Sequence, residues 1–490
     1  MKMLRWFDHL TINSYWLGIN IASGILTPIL MPYLVVMFMP PELKNTYLAT
    51  VRVIGLSMAM LFQPLAGMLS DRSTARMGRR RPFIIWGTVF NVLFLFIIGA
   101  SPLFMGSASD ANLKALLGIT TAYGVLLIGT ILMQISSNFG QAAVQGLMPD
   151  VVPENQRGRS SGFKSVLELL PIFFVLFIGP MVGKGMIWPV IGIIMAGFII
   201  TMLVTVIFVK EDPLKEKPKG RITEQILRII ALTAIFVGVT RAAIWLVSSS
   251  GKLLTSAGSS VTTQIILVGL AGLVAMAGSI VFGVYFGAWV GIGKTAHQSK
   301  SFIWWVINRL LFLAAVGSIQ GFAQFFLRDV MHDPNPPGTT SKLLAAVALF
   351  LIPAALGGGY ISDRVGKKRL VAIAGVIAAM GAVILLFSRS MPMLLVSGAF
   401  IGLGTGLFYA ANWALGTKLV PPAEAGKYLG ISNLAGAGAG IVGAGIGGPM
   451  ADFFNNLQPG LGYLVIFAIY AGLFLLSILT LVKVKVPSEN

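Results

Sequence analysis

Fourteen apolar stretches dominate this 490-residue chain, over 12–37, 46–70, 82–100, 115–146, 160–182, 186–209, 225–248, 262–290, 302–327, 342–362, 369–388, 392–418, 426–450 and 460–483. A helix needs roughly 20 residues to cross the hydrocarbon core of a bilayer. In lipid a spanning segment must satisfy its own backbone polar groups, and an open sheet cannot do so. The expected fold class is therefore an all-α polytopic membrane protein with 14 spans. Only 11% of the residues are charged, against roughly 25% in soluble proteins. That excludes a soluble enzyme and a disordered chain. There is no Cys, and His9, His297 and His332 lie far apart. No metal site, cofactor or catalytic triad is expected, and the chain does not read as an enzyme. The first span is too long for a cleavable signal and has no small-residue cleavage site after it.

Orientation follows from the loops. With both termini in the cytoplasm, twenty-four Lys and Arg fall in inside loops and ends, and seven fall outside. Such a bias sets topology and points to a bacterial inner membrane. The net charge of +19 belongs to these short loops, so nucleic acid is not the expected partner; the lipid bilayer is.

Two sequence features repeat. Span 2 runs into Gly67-x-x-x-Asp71-Arg72, then Gly78-Arg79-Arg80, and span 10 into Gly359-x-x-x-Asp363-Arg364, then Gly366-Lys367-Lys368. Two spans after each, Pro153 precedes Gly158, Arg159 and Gly162, and Pro421 precedes Gly426, Lys427 and Gly430 at the same offsets. Spans 1–6 and 9–14 thus read as parallel repeats, the major facilitator arrangement of two six-helix bundles. The expected domains are a first bundle at 1–209, a cytoplasmic linker at 210–224, two inserted helices at 225–301 and a second bundle at 302–490. The acidic residue of each loop motif can pair with basic residues at neighbouring helix ends and latch one bundle arrangement. The plainer reading is that the basic residues hold the loop inside. The gating candidates are Asp71, Arg72, Arg76, Gly78, Arg79, Arg80, Asp363, Arg364, Gly366 and Lys367.

The run from Gln63-Pro64 through Gly67, Ser70-Asp71-Arg72, Thr74, Arg76 and Gly78-Arg79-Arg80-Arg81-Pro82-Phe83-Ile84, with Leu26-Thr27-Pro28 in span 1, resembles the sucrose-transporter group of the major facilitators. The resemblance is strong over residues 20–90, weaker over 130–165 and generic beyond. It implies sugar movement driven by a proton gradient, with a span 4 pattern of Asp-x-x-x-Asn, then Gln-x-x-x-Arg and a later Asp. Here Asn138, Gln141 and Asp150 match that pattern, but Gln134 stands for the coupling Asp and Gln145 for the sugar-binding Arg. Neither Gln can titrate, although both can hydrogen-bond a hydroxylated solute.

Glu168 is the one acidic residue well inside a span. It is either a proton-coupling group or one half of a structural pair with Lys164, one helical turn away. Arg52, Arg241 and Arg309 can snorkel to an interface or turn inward to a polar solute. The candidate solute-binding residues are Asn20, Gln134, Asn138, Gln141, Gln145, Arg309, Gln320, Asn412 and Trp413, while Trp304 and Trp305 read as interface anchors. A literal G-x-G-x-x-G at Gly438, Gly440 and Gly443 follows no strand. Together with Gly436 it reads as close helix packing. The expected function is secondary transport of a small polar solute, a sugar or glycoside first, with protons as a possible second partner. The alternatives are a fourteen-span drug/proton antiporter, whose two extra helices spans 7–8 resemble, and a non-transporting assembly factor or receptor that meets a protein partner through 225–301.

Overall fold

A computed structural model describes residues 3–214, 223–292, 300–420 and 425–485. Linker residues 215–222, Pro421 and the Lys427 side chain lie outside the described residues. The described residues contain helices and no strand. Along the chain the long helices are α1 (Trp6–Phe38), α2 (Lys44–Asp71), α3 (Arg81–Ala100), α4 (Thr121–Val151), α5 (Glu154–Gly183), α6 (Ile187–Phe208) and α7 (Thr223–Ser256). They continue with α8 (Val261–Ile292), α9 (Lys300–Asp329), α10 (Pro336–Val365), α11 (Lys367–Phe387), α12 (Met391–Lys418), α13 (Ala425–Leu457) and α14 (Leu461–Thr480). Thirteen of these, all but α13, are long and apolar enough to cross a membrane among the described residues. Part of α13 lies outside the residues whose side chains are described.

Local chemistry explains the helix ends. At the start of α10, the Asn335 side chain accepts the Gly338 N–H at 3.2 Å and Pro336 occupies the first turn, where its missing N–H costs nothing. Gly78 and Gly366 take φ of 100° and 95°, a region that only glycine enters cheaply. This is why both loop motifs turn at a glycine. Within α1, residues Leu26–Leu30 form a π-helical turn around Thr27-Pro28, where proline removes a backbone donor.

The chain divides into two compact units, residues 1–39 with 58–227, and residues 40–57 with 228–490. These cuts differ from the repeat-based partition, because the first half of α2 joins the second unit and so do α7 and α8. In the first unit α3 packs along α4 and α6, and α1 along α5 and α6. In the second, α9 packs on α13 and α14, α12 on α10 and α11, and α8 on α13, α14 and α9. Of the apolar window of α9, 78% is buried, against 17% for α10, so α9 is the core helix of its unit.

Small residues bring these helices together. A Cβ at Gly402 or Gly406 would meet the carbonyl oxygens of Val347 or Leu351 at 2.3 Å, so α12 lies against the α10 backbone. The G-x-G-x-x-G run is a packing surface as well. A Cβ at Gly443 would meet Ser318 Oγ at 2.4 Å, and one at Gly438 the Phe236 ring at 2.5 Å. Gly436, expected on the same surface, faces open space instead.

Candidate functional site

In the first unit, Gln134, Asn138, Gln141 and Gln145 recur on α4 at spacings of three and four, hence on one face. The Asn138 amide donates to the Gln134 carbonyl at 2.7 Å and is buried. Gln134 and Gln141 are half-buried and Gln145 is exposed. Gln63 of α2 donates to Gln145 Oε1 at 3.3 Å, a partner that the sequence reading had placed only in a motif. On α1, the Asn20 amide donates to the Trp16 carbonyl at 2.8 Å. The Lys164 ammonium sits 4.2 Å from the Trp16 ring centroid and 3.1 Å from Glu168 Oε1. The i,i+4 pair thus forms, with both side chains about a third exposed.

In the second unit, α9 and α12 bring Arg309 and Trp413 together. The Arg309 guanidinium lies 5.0 Å from the Trp413 centroid and 6.0 Å from that of Trp305, within cation–π range. Its Nε–H is buried without a partner. Tyr409, one turn before Trp413 on α12, is 44% exposed and Trp413 is 38% exposed. Arg309 and the two rings therefore form an aromatic and cationic face that is partly exposed.

The structure places the other expected residues. Of the two readings left open for Arg309, the inward-turned one agrees with its position over the Trp413 ring. Arg52 likewise turns inward, donating to the Gly317 carbonyl at 2.9 Å; Arg241 alone of the three stays exposed. Trp305 is not an interface anchor. It is fully buried and donates its indole N–H to the Asn412 carbonyl at 2.9 Å. Asn412, a candidate solute-binding residue, is fully buried too. Its amide donates to Asn308 Oδ1 at 2.9 Å, and the Asn308 amide donates to the Ser477 carbonyl at 2.8 Å. That chain ties α9, α12 and α14 together and leaves Asn412 a packing strut. Gln320 lines a separate cavity of about 70 Å³ with Thr340 and Ser397, otherwise walled by apolar residues.

The first loop motif is a closed charge cluster. Arg79 Nε donates to Asp150 at 3.0 Å, and Arg80 reaches Asp150 at 2.8 Å, Ser70 Oγ at 2.6 Å and Asp71. Glu211 Oε1 and Oε2 each accept the Arg80 backbone N–H at 3.0 Å, which caps the start of α3. Burial raises the Glu211 carboxyl above its ordinary value, and the N–H groups of Arg80 and Arg81 pull it back. The hydrogen bond that Arg79 donates to Asp150 raises the guanidinium above its ordinary value. Of the expected motif residues, Arg76 is exposed and Arg72 half-buried. The second copy differs: Asp363 is exposed and Arg364 lies 4.2 Å over the Tyr360 ring.

One cluster was missed entirely. At the start of α2, Asp452 of α13 accepts the Thr46 backbone N–H at 2.7 Å, the Asn45 backbone N–H at 3.2 Å and the Asn45 amide at 2.7 Å. Beside it, Asp329 takes the Lys44 ammonium at 2.5 Å and the Tyr463 hydroxyl. The sequence signal was weak, because both acids sit at span ends, where acidic residues are common.

The family model of the Major Facilitator Superfamily matches residues 17–327 and 310–490. A minor myo-inositol transporter of Bacillus subtilis is 26% identical over 156 residues, 31% of this chain and 34% of the relative. A sucrose transport protein of Oryza sativa subsp. indica is 28% identical over 137 residues, 27% of this chain and 26% of the relative. The chain thus matches about a third or less of the length of these curated relatives. Among solved structures, a D-xylose–proton symporter superposes with a TM-score of 0.61 at 15% identity, covering 98% of this chain and 97% of the other. A nucleoside transporter gives 0.62 at 13% identity, covering 98% and 99%. At these identities the structures establish the fold alone.

Proposed function

Because the chain belongs to the major facilitator superfamily, we propose that this integral membrane protein is a secondary transporter carrying a small polar solute across a bacterial inner membrane by alternating access. Its solute is a sugar, glycoside or cyclic polyol. Residues 1–209 and 302–490 act as the two bundles, with 225–301 inserted and both termini inside. The observation that carries the solute class is the Arg309–Trp413 face. A sugar ring stacks its C–H face on an indole, and its hydroxyls accept from a guanidinium. Arg309 has an Nε–H without a partner and lies beside two half-open aromatic rings. The inositol and sucrose transport named for two relatives agrees with this class.

The test is uptake into proteoliposomes from a panel of labelled sugars and polyols, with lipophilic cations included. Uptake of the cations alone would favour the drug antiporter. No uptake, together with no solute-dependent rise in unfolding temperature, would overturn transport. Within this test, Arg309→Met is expected to weaken solute binding roughly 10- to 100-fold, since a charged donor is worth about 1.5–3 kcal/mol. Arg309→Lys restores the charge but not the planar stack. Unchanged affinity in Arg309→Met would place the solute elsewhere.

In this reading protons couple through Glu168, the acid that pairs with Lys164 on the same helix. Glu168→Gln is then expected to keep solute exchange and to lose uphill accumulation under an imposed pH gradient. Full accumulation by the variant would assign coupling to another ion.

A further inference from the structure

The two loop motifs end in opposite chemistry. Aligned on Gly78 and Gly366, Arg79, Arg80 and Arg81 stand against Lys367, Lys368 and Arg369; the preceding Ser70-Asp71 stands against Ser362-Asp363. In the first unit, carboxylates meet the cations: Asp150 holds Arg79 and Arg80, and Glu211 caps α3. The repeat puts Lys418 where Asp150 stands, each three residues before its proline. Lys483 lies three residues beyond the end of α14, as Glu211 lies three beyond the end of α6. Two positions that are acidic in the first unit are thus lysines in the second.

The consequences show in the hydrogen bonding. Ser70 Oγ accepts from Arg80 at 2.6 Å. Its counterpart Ser362 is 2% exposed, and its Oγ has no partner. Lys368, the counterpart of Arg80, donates instead to the neutral Val484 carbonyl at 2.8 Å. The α11 N-terminus carries no side-chain cap, and its first turn, Lys367-Lys368-Arg369, sets positive charge against the positive end of the helix dipole. These residues line an open basin of about 1200 Å³, together with Ser362, Arg364 and Lys418 and, among the described residues, with Asp363 as the acidic residue of its lining.

We propose that this basin binds a phosphate-bearing anion, whose oxygens take the place that the Asp150 and Glu211 carboxylates hold in the first unit. Helix N-termini and clustered cations are suited to phosphate, and Ser362 Oγ–H supplies a buried donor. The anion is either the headgroup of an acidic phospholipid in the adjoining leaflet or a soluble phosphate; the chemistry of recognition is the same.

The test measures unfolding temperature in two arms. One compares phosphatidylcholine nanodiscs with nanodiscs that also contain phosphatidylglycerol. The other titrates inorganic phosphate in neutral detergent, with chloride at matched ionic strength as control. Stabilisation in the first arm alone assigns a lipid headgroup, and stabilisation in the second a soluble anion. In either case Lys368→Gln/Arg369→Gln is expected to lose most of the shift, while Arg76→Gln, an exposed cation of the first unit, keeps it. Should the double variant unfold early in phosphatidylcholine alone, Arg364→Gln/Lys418→Gln makes the same comparison from the exposed rim. Stabilisation in neither arm, or a full shift in the basin variants, overturns the proposal.

Discussion

Asp452→Ala is expected to destabilise the protein by about 3–5 kcal/mol, the range for removing one partner of a buried, fully bonded charge. The carboxylate is 3% exposed and accepts from two backbone N–H groups and the Asn45 amide. Those N–H groups open α2 and have no partner within their own helix. Asp452→Asn is expected to fall between, because it keeps one acceptor but turns its NH2 toward the Asn45 or Thr46 N–H. The same contacts hold residues 44–57 of α2 in the second unit while residues 58–71 belong to the first. In the transport cycle proposed above, releasing them would free α2 to move as one piece. The chain has no Cys, so one introduced in the first turn of α2 is a unique label. Its labelling rate is expected to rise several-fold in Asp452→Ala, alongside the drop in unfolding temperature. Wild-type labelling and stability together would remove the clasp.

Arg80→Ala should cost about 3 kcal/mol, the low end of the same range. Arg80 is 6% exposed and joins Asp71, Asp150 and Ser70. The cost stays at the low end because Asp150 keeps Arg79 and Asp71 is 55% exposed to solvent. Arg80→Lys should recover less than half of the loss. A single ammonium cannot reach three acceptors in a plane, and the guanidinium lies flat against Gly146 of α4, 2.5 Å from where a Cβ would stand. Gly146→Ala should therefore mimic part of Arg80→Ala. Chemical unfolding of the three variants in one detergent checks the order, and Arg80→Lys at wild-type stability would show that charge alone suffices.

Features that depend on neighbouring residues were open to reading from the chain alone. A span is a continuous run of apolar residues imposed by bilayer thickness, so every described long helix coincides with an expected stretch. The turn at Gly78 and Gly366 is a local demand on φ. The Lys164–Glu168 pair follows from helical periodicity, and so does the shared face of Gln134, Asn138, Gln141 and Gln145. Distant partnerships were another matter. Glu211 lies 131 residues from the helix start it caps, and Asp452 407 from the one it holds. Helical spacing groups residues on a face but does not say toward which neighbour that face turns. Asn412 and Trp413 are adjacent in sequence, about 100° apart around α12. One became a buried strut and the other an open face. That difference came from the rotation of α12, set by the approach of Gly402 and Gly406 to the α10 backbone. In the same way, Arg52 turned inward to the Gly317 carbonyl once the start of α2 had docked in the second unit. The sequence by itself determined the helices, the loop turns and the repeat. The tertiary structure decided which polar side chains are consumed by packing and which remain exposed, because that choice depends on helix rotation and on contacts hundreds of residues apart.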